Sequence, residues 1–252
     1  MLRRNFSDRP ISTWLGPALA FSAGLAVACL ALAGAAAAQP ATAYPAMAPV
    51  ADYLMADRAA EIALARSAAP PSISADAEVL VLGPHGYVSA APGKNGFVCV
   101  VSRAWFSGFQ DDGFWNPKEK GPICYNPEAA RSVLPTFLTR TTWALAGVSQ
   151  AEMLKRTAAA MAAGKIPAPE IGALTFMMSK DGYLGDAAHG PWHPHLMFYM
   201  PRMSTADWGA DMPGTRVFAT EAGVDPYTIF YVPLATWSDG APDDKAGAKH
   251  QM

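Results

Sequence analysis

The sequence predicts an α+β domain: an antiparallel sheet, a three-stranded meander plus later strands, with helices packed on one face. Three observations carry that reading. Apolar or alternating runs of strand length recur over residues 77–102 and again beyond Pro169, bounded by Gly, Pro and Asn. Between them, Asn126-Pro127-Glu128 and Ser149-Gln150-Ala151-Glu152 have the cap and acidic first turn that open helices. Ahead of both, residues 52–67 repeat apolar side chains at helical spacing.

In that first helix, Met55, Ala56, Ala59, Ile62 and Ala63 fall on one face, while Asp57, Arg58 and Glu61 face away. Pro70-Pro71 stops it. The meander follows: strands at 77–82, 87–90 and 97–102, joined by Gly83-Pro84-His85-Gly86 and Gly93-Lys94-Asn95-Gly96. The helix begun at Asn126 breaks or kinks at Pro135, which has no amide hydrogen, and resumes to Gly147. The next helix buries Met153, Leu154, Ala158 and Met161 and ends at Gly164. Three more strands are predicted at 173–178, 196–200 and 228–233.

Domain organisation is read from the ends inward. Residues 1–38 have the form of a secretory signal: Arg3-Arg4, an uncharged apolar run from Trp14, and the small-residue exit Ala35-Ala36-Ala37-Ala38. The same run is long enough to be an uncleaved anchor, but it is Ala-rich and Gly-interrupted and ends in a cleavage pattern. Residues 39–50 read as a mobile Pro/Ala linker, 51–237 as one globular domain, and 238–252 as a disordered polar tail. The expected location is periplasmic or secreted.

Beyond residue 38 the chain carries 16 Lys and Arg against 20 Asp and Glu, a formal charge of −4. Scattered basic residues in an acidic chain exclude nucleic acid and anionic membrane surfaces as partners. No later run approaches membrane-spanning length. Cys99 and Cys124 survive leader removal, and an isolated pair in an oxidising compartment is expected to form a disulfide; the competing reading is a buried free thiol at Cys99.

No G-x-S-x-G, H-E-x-x-H, phosphate-loop or dinucleotide-binding glycine pattern occurs, so the sequence names no reaction. Two segments have binding chemistry. His189, His193 and His195 fall within seven residues. In an extended backbone His193 and His195 point to one side and could hold Zn²⁺ or Cu, with His189 or Asp186 completing the set. The competing reading is that these imidazoles only close a loop through backbone hydrogen bonds. In the aromatic segment 105–115, Trp105, Phe109 and Trp115 could stack on a flat small-molecule ligand beside Asp111 and Asp112. The plainer reading there is a satellite hydrophobic cluster near the Cys pair. Function is therefore expected to be metal binding through the histidines or, alternatively, non-catalytic ligand binding or sensing through the aromatic segment.

Overall fold

The central strands of this protein are apolar on both sides, and the architecture follows from covering both. The computed structural model describes residues 44–185, 193–213, 218–221 and 223–244. The expected leader lies outside them. In chain order the elements are α1 (Val50–Tyr53), α2 (Arg58–Arg66), α3 (Pro71–Ser74), β1 (Glu78–Gly83), β2 (Gly86–Ala91), β3 (Val98–Ser102) and β4 (Gly121–Tyr125). They continue with α4 (Pro127–Ser132), α5 (Leu134–Leu145), α6 (Gln150–Ala162), β5 (Leu174–Met177), β6 (His195–Pro201), β7 (Phe218–Glu221) and β8 (Tyr227–Pro233).

The eight strands form one sheet in the order β2-β1-β3-β4-β5-β6-β8-β7. Helices with a mainly antiparallel sheet confirm the α+β class, but the first three strands are not a meander. β2 pairs antiparallel with β1, and β3 lies on the other side of β1, parallel to it. Burial explains the exchange: β3 is almost wholly buried, whereas β2 alternates only between half-buried and exposed and takes the edge. The crossover passes close to the start of β1, where a Cβ on Gly93 would lie 2.3 Å from the Glu78 amide nitrogen. Only glycine fits there.

Helices cover both faces, not one. On one face Val79, Cys99, Val101 and Cys124 pack with Ala65, Ala68 and Ala69 of α2 and the turn after it. On the other, Val100, Ile123, Tyr125, Met177 and Met197 pack beneath Ala129 and Val133 and beneath Leu134 and Phe137 of α5. Successive residues of β3 thus alternate between two cores. Cys99 and Cys124 face one another directly across β3 and β4 and form the expected disulfide, with Cα atoms 4.0 Å apart.

Pro135 does break its helix, separating α4 from α5. The helix expected at 52–67 divides into α1 and α2, and Asp57 caps the second by accepting from the Ala59 and Ala60 amides at 2.8 and 3.2 Å. Its expected polar face is also corrected. Glu61 is 1% exposed, and its Oε1 accepts from Arg103 Nη2 at 2.8 Å and from the Leu82 amide at 3.2 Å. Arg103 is itself buried and donates to the Tyr53 and Val101 carbonyls. One ion pair therefore ties α1, α2, β1 and β3 together.

Residues 44–49, the described part of the expected mobile linker, lie on the protein instead: Tyr44, Met47 and Ala48 pack against an aromatic cluster, and the Ala48 amide donates to Tyr53 Oη. Residues 238–244, expected to be disordered, also fold back. The Ser238 amide donates to the Met178 carbonyl at 2.9 Å, Lys180 pairs with Asp239, and Asp243 is buried.

Removing one member of a buried ion pair strands the other charge away from water. Glu61→Gln or Arg103→Met alone is expected to lower unfolding free energy by about 3–5 kcal/mol. The double replacement is expected to cost less than the two single losses added together, as read from urea unfolding curves.

Candidate functional site

A cavity of about 470 Å³ lies between the sheet and its helical roof. Its floor comes from alternate residues of neighbouring strands. Ile123 and Tyr125 project from β4, Met177 from β5, His195, Met197 and Tyr199 from β6, and Tyr227, Ile229 and Tyr231 from β8. The period of two in each strand puts these side chains on one face. Phe137 of α5, Leu154 of α6 and Phe106–Gln110 form the roof and rim, with Gly223 and Val224 from the turn before β8.

Polar groups run along one side of this apolar chamber. Asp225 pairs with Nη2 of Arg140, a residue only 1% exposed. Arg140 Nη1 donates to the Ser107 carbonyl at 3.4 Å, and Ser107 Oγ donates to Glu119 Oε1 at 3.3 Å. The Arg140 guanidinium also lies 4.2 Å above the Phe109 ring centre. Burial raises the Asp225 carboxyl above its ordinary pKa, against the opposing pull of Arg140.

Glu119 is 4% exposed and lines the cavity. Burial, aided by the charge of Asp111, pushes its pKa from 4.5 up to about 8, although the Ser107 hydrogen bond and Lys120 act the other way. Burial, reinforced by Arg103, lowers the neighbouring Lys120 to about 8. Near neutral pH the chamber therefore contains a protonated carboxyl group, a hydrogen-bond donor as well as an acceptor.

Of the aromatic-segment residues, Phe109 lines the cavity. Trp105 and Trp115 do not: both are buried in a separate cluster with Tyr53 and Phe114, and Trp105 Nε1 donates to Thr141 Oγ1 at 2.9 Å. Asp111 caps its own turn by accepting from the Gly113 amide, and Asp112 is exposed. The segment is mainly the satellite cluster, with the Phe106 and Phe109 rings reaching the chamber.

Asp186 and His189 lie outside the described residues. His195 lines the cavity and donates through Nδ1 to the His193 carbonyl at 2.9 Å. His193 does not line it; its Nδ1 lies 2.6 Å from Asp243 Oδ2. Among the described residues no three His, Cys, Asp or Glu side chains are grouped to hold a metal ion.

Sequence reading missed Glu119, Tyr125, Arg140 and Asp225. One signal for the floor was available: Tyr227, Ile229 and Tyr231 alternate within a predicted strand. The ion pair spans 85 positions and leaves no local pattern. The chain matches no family model, no curated protein and no solved structure. Its functional reading therefore rests on the chamber itself.

Because the folded pKa of Glu119 is raised, the native state holds a proton that the unfolded chain has released. Stability is expected to fall as pH rises from about 4.5 to about 8 and then to lose this dependence. Glu119→Gln should remove that part of the slope in urea unfolding measured across the range. Lys120 contributes in the opposite sense and only above about 8, so the windows separate.

Proposed function

We propose that this protein is a non-catalytic binding or sensing module that works outside the cytoplasm and holds a small, mostly apolar molecule in its interior cavity. The observation that carries this reading is the chamber: about 470 Å³, walled by aromatic and aliphatic side chains, with a few polar groups along one side. Ligand sites have this size and composition, because apolar walls supply affinity and sparse polar groups fix orientation. The leader expected from the sequence of residues 1–38 and the Cys99–Cys124 disulfide support the compartment. No helix among the described residues is long and apolar enough to cross a membrane.

Metal binding at His193 and His195 is the second reading. In both rings Nδ1 meets an oxygen atom, the arrangement that orients a metal-ligating imidazole for coordination through Nε2. Asp186 or His189 would complete such a set.

Thermal unfolding tests both. Acetylnaphthalene at a hundredfold excess over its Kd is expected to raise Tm by roughly 5–10 °C, with no effect of chelator. Ile123→Trp, which fills the chamber from its floor, should abolish the shift while unfolding stays cooperative. No stabilisation by apolar compounds, together with a Zn²⁺-dependent rise lost in His193→Ala/His195→Ala, would replace the first reading with the second.

A further inference from the structure

We infer that the ligand is a lipophilic amine whose positively charged nitrogen donates to Oε2 of Glu119 inside the chamber while its hydrocarbon part lies against the aromatic walls. The inference rests on the ligand-binding reading above and adds the charge of the ligand and the residue that selects it.

Four acidic side chains are buried among the described residues: Glu61, Glu119, Asp225 and Asp243. Three of them have a basic partner. Glu61 meets Arg103 at 2.8 Å, Asp225 meets Arg140, and Asp243 meets His193 at 2.6 Å. Glu119 has only the Ser107 hydroxyl, 3.3 Å from Oε1. Its Oε2 has no hydrogen-bond partner, yet it is not sealed in protein: it keeps accessible surface, in a residue that lines the cavity. A carboxylate offers about four acceptor sites, and a buried one is ordinarily matched by a cation. A guest in the chamber can reach this oxygen and supply that match.

Backbone contacts on both sides hold Glu119 in place. Its own amide donates to the Asn116 carbonyl at 3.3 Å. The next residue, Lys120, exchanges two backbone hydrogen bonds with Tyr183, at 2.8 and 3.0 Å, and β4 begins at Gly121. Lys120 does not serve as the missing partner: it does not line the cavity, and its Nζ donates to the Pro117 carbonyl at 2.7 Å. Phe106 and Phe109 flank Ser107 in sequence and also line the chamber, so aromatic rings stand on the side where Glu119 is held.

Charge sets the class. No Lys or Arg lines the cavity, whereas Glu119 and Asp225 do, and Asp225 is already joined to Arg140. An anionic guest would meet no lining cation, and a hydrocarbon would leave Oε2 unmatched. An ammonium group gains a charge-assisted hydrogen bond and the aromatic faces, which together offset its loss of water. In the free protein, burial and the Asp111 charge keep Glu119 protonated up to about 8, against the pull of Ser107 and Lys120. An arriving ammonium group therefore displaces the Glu119 proton to solvent, and affinity rises with pH until the carboxyl is already ionised.

The experiment compares four probes on one ring system: naphthylmethylammonium, its isostere ethylnaphthalene, acetylnaphthalene and naphthoate. Affinities are read by fluorescence titration for the wild type and Glu119→Gln. At pH 7 the ammonium probe is expected to bind the wild type about tenfold more tightly than ethylnaphthalene, and more tightly than the ketone or the carboxylate. In Glu119→Gln that preference should be lost, while ethylnaphthalene stays within about twofold and so reports an intact chamber. Equal wild-type affinity for ammonium and hydrocarbon, tighter binding of ketone or carboxylate, or survival of the preference in Glu119→Gln would overturn the inference while leaving a ligand cavity in place. Failure of all four to bind would overturn the ligand reading as well. A pH series on the wild type does not depend on the variant's folding: from pH 6 to pH 7 ammonium affinity should rise close to tenfold and ethylnaphthalene affinity should stay level. A level ammonium series contradicts the proposal. His195 also lines the chamber and belongs to the residue type that titrates in this range. A slope that persists in Glu119→Gln would belong to His195 and would equally overturn the assignment to Glu119.

Discussion

The cavity's sides meet at Arg140. This one guanidinium, carried by the roof helix α5, pairs with Asp225 in the turn before β8, reaches the Ser107 carbonyl in the rim and packs against Phe109 and Phe137. Helix and sheet share no backbone hydrogen-bond ladder, so side chains must set their separation. A buried cation is costly to desolvate, and its ion pair and flanking rings offset that cost only when the geometry is kept. The chamber is what remains between a sheet that cannot bend far and a roof fixed at this point.

Beneath it the sheet is stiffened from the other side. The Cys99–Cys124 bridge sits in the core under α2, whereas Tyr125 and Ile123 turn toward the chamber. Adjacent residues of β4 thus serve opposite faces: one staples the central strands, the next furnishes the floor. The Glu61–Arg103 pair adds a third constraint, fixing α2 to β1 and β3 through buried hydrogen bonds.

Local chemistry made much of the fold legible. Asn126-Pro127, Ser149 and Pro135 placed helix boundaries because capping and proline sterics act over a few residues. β1, β3, β5, β6 and β8 were visible in their apolar runs. β4 was not, since Gly121 and Pro122 resemble loop punctuation; yet the strand is buried throughout and Pro122 pairs with Val101. The strand order was hidden for another reason: whether β2 or β3 neighbours a given strand depends on burial, which turns do not encode. Glu61 looked like a solvent-facing charge because its partner lies 42 residues away. Of the candidate site, Phe109 and His195 were identified and do line the chamber, while the tyrosine floor became apparent only once four strands were aligned.

Methionine methyl NMR decides most directly whether the chamber is the binding site. Met177 and Met197 line it; Met153 is equally buried but lies in the separate aromatic cluster, and Met212 is exposed. On titration with acetylnaphthalene, the Met177 and Met197 methyl resonances should shift together and saturate while Met153 stays in place. Saturable shifts confined to Met212 or to other surface methyl groups, with Met177 and Met197 unmoved, would contradict an interior site.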